Sequence, residues 1–173
     1  MDDPNPDPIP WYVAHTKPRQ ERVAQENLLR QGYGVYLPLL KVFKALRNQQ
    51  ETRFEPLFPR YIFFQPADAR QSIAPVRSTQ GIAAIVRFGQ VPAVLLPETL
   101  KTIQAFEAAY NASSFEEISS FKPGKAVVVT EGPFAGLEGL VSMVSEQRVV
   151  VLMHLLGQQQ RLKFSPHQLS MAD

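Results

Sequence analysis

Pro56-Leu57-Phe58-Pro59-Arg60-Tyr61-Ile62-Phe63-Phe64 decides how the larger part of this chain folds. Pro56 and Pro59 interrupt any regular pairing. Tyr61 to Phe64 then runs almost without a polar residue, as a central strand buried on both faces does. A central strand needs partners, and the flanking sequence supplies them. Trp11-Tyr12-Val13-Ala14 opens a first strand in β-favouring residues. Tyr33 to Leu46 reads as strand, Arg47-Asn48-Gln49-Gln50 as a polar loop and Glu51 to Phe54 as the returning strand, a hairpin with basic decoration. Ile82 to Phe88 is a further strand, and Gly89-Gln90 turns the chain toward Ala93 to Leu96.

Helices fill the gaps. Pro18 to Gln31 has no interior glycine, places Val23, Ala24 and Leu28 on a narrow apolar face, and stops at Gly32. Arg19, Arg22, Glu26 and Arg30 share another face of the same helix. Asp68 to Ala74 predicts a short helix ended by Pro75. Pro97 opens a second long helix, with Glu98 near its positive end and Leu100, Ile103, Phe106 and Tyr110 at helical spacing.

Asn111 to Ser120 breaks this pattern with small and polar residues and reads as a linker, spanning roughly 17 to 19 Å if flexible. Beyond it, turn signals at Pro123-Gly124, Gly132-Pro133 and Gly157 separate Val127-Val128-Val129, Leu140 to Val144, Val149 to Leu155 and Arg161 to Phe164. Short strands at such intervals predict a small barrel. The β-branched run Val149-Val150-Val151 and Gly157 disfavour a helix there, although Leu152-Met153-His154-Leu155-Leu156 is helix-compatible. The expected class is therefore α+β: an N-terminal α/β sandwich with a mixed, mainly antiparallel sheet and flanking helices, then a five-stranded C-terminal β-barrel. The predicted boundaries are a disordered leader over 1–10, a first domain over 11–110, a linker over 111–121 and the barrel over 122–173.

Composition narrows the function. The chain has 173 residues, 45% of them hydrophobic and 10% aromatic, and no cysteine. Disulfides, thiolate metal sites and a cysteine nucleophile are excluded, and a reducing, cytoplasmic home is expected. Met1 to Pro10 is acidic and proline-rich without the pattern of a secretory signal, and no run approaches the ~18 apolar residues of a membrane span. Net charge is only +2, but Trp11 to Arg60 holds nine Lys or Arg against four acids, a local +5 that suits nucleic acid. His15, His154 and His167 lack metal-ligand spacing, and there is no phosphate loop or Gly-x-Ser-x-Gly elbow. A binding protein without cofactor or metal is expected, not an enzyme.

The barrel segment carries a more specific pattern: Val127 and Val129, then Gly132-Pro133-Phe134-Ala135-Gly136, then Gly139-Leu140-Val141. Strand, glycine-dependent turn and strand follow from it. The arrangement resembles the KOW motif, carried here by Gly132, Pro133, Phe134, Gly136, Gly139 and Val141. Trp11-Tyr12, Lys17 and Pro56 to Phe63 resemble the N-terminal domain of the NusG superfamily, and the two resemblances together span nearly the whole chain. Glu55-Pro56-Leu57-Phe58-Pro59 and Val86-Arg87-Phe88-Gly89 followed by Pro92-Ala93 look like the specialised, RfaH-like branch.

That resemblance implies a transcription elongation and antitermination factor that suppresses pausing in an operon-specific manner. It implies binding to the clamp helices of the largest subunit of RNA polymerase through an aromatic depression lined by Phe58, Pro59, Tyr61, Phe63 and Phe88. An apolar mid-domain strand is equally what a core uses, so Phe63 fits either role. The set Lys17, Arg19, Gln20, Arg22 and Asn27, with Arg30, would meet the non-template DNA strand: cations on phosphates, carboxamides on base edges. Two departures stand out. Gln80 replaces a DNA-contacting arginine of that branch, and Ser72-Ile73-Ala74-Pro75 replaces its His-Thr-Thr-Thr polymerase contact. The branch also implies that the C-terminal domain can form a helical hairpin masking the polymerase site; the residues here favour the barrel. The KOW domain would recruit a ribosomal protein of the small subunit or Rho. Two alternatives stand beside this: a housekeeping NusG acting genome-wide with Rho, and a ribosome-associated KOW protein binding rRNA. Five Lys or Arg against four acids from Phe121 to Asp173 is too balanced for a phosphate-driven rRNA contact. A monomer is expected.

Overall fold

A computed structural model of the protein describes residues 7–112 and 145–162. The Tyr61-Ile62-Phe63-Phe64 run is the inner strand it was expected to be. β1 (Trp11–Thr16), β2 (Gly34–Tyr36), β5 (Tyr61–Gln65) and β6 (Ile82–Ile85) form a sheet in the order β2-β5-β1-β6, with β9 (Val94–Leu95) pairing the start of β1. All its pairings are antiparallel, in the register Tyr12↔Phe64, Val13↔Phe63, Ala14↔Ile62 and His15↔Tyr61. β3 (Leu39–Leu46) and β4 (Gln49–Pro56) make a separate two-stranded ribbon, and β7 (Arg87–Phe88) pairs β8 (Val91–Pro92).

Strand alternation divides the core in two. Ala14, Ile62 and Phe64 point to one face and pack on Ala24 and Leu28 of α1 (Glu21–Arg30) and on Val76 of a 3₁₀ turn (Ala74–Ser78). Val13 and Phe63 point to the other, where they join Phe58, Leu95, Leu100 and Ile103. Leu100 and Ile103 belong to α2 (Pro97–Ala112), and Leu152 and Leu156 of α3 (Ser145–Leu162) complete this cluster.

α3 corrects the expected strand over Val149 to Leu155. Three valines and Gly157 each weaken a helix, together by about 2 to 3 kcal/mol. Fully burying two leucines returns roughly 3 to 6 kcal/mol, so tertiary packing outweighs local propensity. Residues 161 and 162 are helical as well, against the strand expected to begin at Arg161, and the linker and barrel segments expected over 113–144 and 163–173, Gly132 to Val141 among them, lie outside the described residues.

Smaller differences follow from turn chemistry. Leu37-Pro38 splits the strand expected over Tyr33 to Leu46, and the hairpin turns on Arg47-Asn48 alone. Asp68 caps a loop, its carboxylate accepting from the N–H groups of Arg70 and Gln71, where a short helix was expected. Pro18 lies outside α1: Gln20 N–H donates to the Lys17 carbonyl at 3.1 Å, closing a turn with proline in second place and Arg19 third at φ 60°. α2 continues through Asn111, whose side chain accepts from Lys41 N–H and donates to the Leu39 carbonyl.

Candidate functional site

Two surfaces meet at one tight turn. Phe58-Pro59-Arg60-Tyr61 is closed by Tyr61 N–H donating to the Phe58 carbonyl at 3.0 Å, with Arg60 at φ 72° where glycine is the usual occupant. Its neighbours hold that conformation. Glu21 is buried and accepts the Arg60 N–H at 3.0 Å, while Arg60 Nε donates to the Thr16 carbonyl at 3.2 Å. The turn thereby fixes aromatic residues on one side and the start of α1 on the other.

On the aromatic side Phe58 and Phe63 are fully buried and meet edge to face, their ring centroids 6.4 Å apart. Tyr36 stacks on Phe63 at 6.1 Å, and Tyr61 stacks on His15 at 5.0 Å. Tyr61 and Phe88 are half-buried and pack against the same cluster; Pro59, also half-buried, follows Phe58 in the turn. Phe63 therefore is core in this state, and the residues expected in an aromatic depression do converge. They are covered: Leu152 and Leu156 of α3 are fully buried among them, with Val151 and Met153 at the edge. Arg148 of α3 faces Tyr110 and Glu55. Burial pulls its guanidinium below the ordinary range, while the charges of Tyr110 and Glu55 act the other way. Burial, reinforced by nearby Arg60, lowers the His15 pKa. Burial and then Glu107 raise that of Tyr36.

On the polar side Lys17 N–H donates to the Gly81 carbonyl at 2.8 Å, bringing the Gln80-Gly81 turn against the start of α1. Gly81 has φ +92°, and a Cβ there would sit 2.7 Å from the Ala24 nitrogen, so only glycine permits this approach. Lys17, Arg19 and Gln80 are exposed and Gln20 is half-buried at this junction; exposed Arg22, half-buried Asn27 and exposed Arg30 continue along α1. Asn27 Nδ2 donates to the Val23 carbonyl at 2.8 Å, so part of its hydrogen-bonding capacity is already used. Gln31 was not singled out from the sequence, yet its Nε2 donates to Thr79 Oγ1 at 2.7 Å and ties the helix to the same turn. Among the described residues no group of three His, Cys, Asp or Glu side chains could hold a metal ion, and no helix is long and apolar enough to cross a membrane.

Leu152 and Leu156 were likewise missed as site residues. Their four-residue spacing was the available signal, hidden by the valine run before them.

The family model "Transcription termination factor nusG" matches residues 10–104 and the KOW motif model matches residues 123–154. A protein named Transcription termination/antitermination protein NusG from Deinococcus radiodurans is 28% identical over 87% of this chain and 93% of its own length. One of the same name from Thermus thermophilus is 27% identical over 87% and 92%. The solved structure "Domain interaction in Thermotoga maritima NusG" aligns with 73% of this chain and 75% of that one, at a TM-score of 0.46 and 20% identity. With the first model covering more than half of its residues, the chain belongs to the NusG family of transcription termination and antitermination factors.

Proposed function

We propose that this protein is an elongation and antitermination factor that binds RNA polymerase through Phe58, Pro59, Tyr61, Phe63 and Phe88, and that α3 keeps this surface covered until it is displaced. One observation carries the reading: Leu152 and Leu156 are buried on the aromatic face that the family resemblance assigns to polymerase. The segment forming α3 overlaps the KOW match over residues 123–154, and Val150 stands 67% exposed on the helix. Two packings of one segment supply a switch. A covered site suits a specialised, operon-specific factor, because an always-available site would act on every transcript.

In the open state residues 11–110 form the polymerase-binding unit and residues 122–173 a KOW barrel that recruits a small-subunit ribosomal protein or Rho. Lys17, Arg19, Gln20, Arg22, Asn27 and Gln80 contact the non-template DNA strand. It binds and does not catalyse. A second reading, a genome-wide NusG, is favoured by the names of the similar proteins.

The test is pausing by purified polymerase on templates with and without the native operon leader. Wild type should reduce pausing only where the leader is present. Tyr61→Ala with Phe88→Ala should weaken binding by at least about 2 kcal/mol, roughly thirtyfold. Equal action on all templates supports the genome-wide reading; no binding to polymerase overturns both.

A further inference from the structure

The segment just before β1 is tied to the sheet: Gln65 Nε2, at the end of β5, donates to the Ile9 carbonyl at 2.9 Å. Together with the loop after β5 it bounds an open cavity of about 360 Å³, walled by Pro8, Pro10, Pro66 and the ring of Tyr12. One face of that ring is taken by Phe64, their centroids 5.6 Å apart. The loop wall is pinned as well, since Gln71 Oε1 accepts from Ala67 N–H at 2.7 Å and its Nε2 donates to the Gln31 carbonyl at 3.0 Å. Walls fixed in advance spare a ligand the cost of ordering them. Tyr12 and Ile73, which also lines the cavity, pack on the core cluster under α1, so the cavity lies across the sheet from Phe58 and Phe63.

Its charge is one-sided. Asp7 and Asp68 are the charged residues of the lining, which holds no Lys, Arg or His, and both are exposed at its rim. Asp68 accepts the N–H groups of Arg70 and Gln71 through Oδ1 alone, at 2.8 and 3.1 Å, and its Oδ2 is left over. Asp7 has no ion pair among the described residues. A slot with proline walls, an aromatic ring and two carboxylates at the rim calls for a cation with a flat head and an apolar stem.

We propose that this cavity binds an arginine side chain of an extended basic protein segment. A guanidinium is planar, weakly hydrated and stacks on aromatic rings, so it suits a slot beside Tyr12. Its fork of donors matches a carboxylate, and its methylenes lie along the prolines. The compact, strongly hydrated ammonium of lysine gains less there. Free arginine would bring its own carboxylate beside two others, with no cation in the lining to receive it; an arginine within a chain does not. The cavity is lined by neither α3 nor the aromatic residues assigned to polymerase, so the proposal does not depend on the polymerase reading.

Isotope-labelled full-length protein titrated at low salt with the peptide acetyl-Gly-Arg-Gly-amide tests it. Saturating amide shifts should appear at Ile9, Tyr12 and Gln71, with a Kd on the order of 1 mM for this single side chain. The peptide with citrulline in place of arginine keeps the shape without the charge and should bind at least about tenfold more weakly. Asp68→Asn retains Oδ1 and with it both N–H contacts of the loop; this variant and Asp7→Asn should each weaken the arginine peptide roughly three- to tenfold. Free arginine should bind more weakly than the peptide. Shifts that do not saturate, equal affinity for the citrulline peptide, or unchanged affinity in both aspartate variants overturn the proposal. Equal or tighter binding of free arginine overturns the assignment to a protein segment.

Discussion

The two faces of the central sheet are covered by very different means. One is closed by α1 and the 3₁₀ turn, elements that lie between or beside the strands they cover, with Ala24 and Leu28 buried at helical spacing. The other is closed by α2 and by α3, which comes from beyond residue 144 and contains Val149-Val150-Val151 and Gly157. The first cover is stable by local sequence as well as by packing. In the second, α2 is likewise supported by its own sequence, whereas α3 rests on packing alone, which is what a removable cover needs.

Equal deletions on the two faces should therefore have unequal consequences. Leu28→Ala and Leu152→Ala each remove a fully buried leucine, with a cost of about 2 to 5 kcal/mol. For Leu28 that loss should lower the unfolding midpoint of the whole N-terminal unit in a denaturant melt. For Leu152 the midpoint should stay, while far-ultraviolet circular dichroism loses helix and polymerase binding tightens. If Leu152→Ala lowers the midpoint as Leu28→Ala does, α3 is a permanent part of the core and the contrast fails.

A gain should be visible too. A Cβ on Gly157 meets nothing within 4 Å, so Gly157→Ala should favour the docked helix by about 1 kcal/mol. Polymerase binding would then weaken roughly fivefold, at unchanged stability of the N-terminal unit.

The smallest effect concerns protons. His15 has its pKa lowered by burial and by Arg60, so the unfolded chain takes up its proton more readily than the folded one. The stability linked to neutral His15 is full above about pH 6.5 and is lost as pH falls through the lower, folded value. Melts between pH 7.5 and 5 should show this loss, and His15→Gln should reduce it. An identical pH profile for the variant would show that other groups set the dependence.

Most of the first domain was legible because its signals are local and agree with one another. The apolar run Tyr61 to Phe64, the Leu100-Ile103-Phe106-Tyr110 spacing and the Gly32 stop each named an element that is present. Boundaries shifted where a turn competed, as at Leu37-Pro38 and Lys17-Pro18-Arg19-Gln20. The site was legible only in part. Phe58 and Phe63 stood out as aromatic, but nothing nearby in sequence could show that Leu152 and Leu156 join their cluster. α3 was misread because valine propensity is visible in a sequence and the apolar surface waiting to receive it is not. Gly81 escaped notice for a similar reason: its demand comes from the backbone of Ala24, more than fifty residues earlier.

Glu107 joins two regions through one side chain. One of its oxygens accepts the Tyr36 hydroxyl, whose ring lies on Phe63, and the other accepts the Leu39 N–H at the root of the ribbon. A single carboxylate is thus shared by the floor of the covered face and the base of the β3–β4 ribbon. For a lineage diversifying its targets, this makes position 107 pleiotropic: the set of the ribbon and the shape of the aromatic floor are inherited together, and neither can drift there without the other.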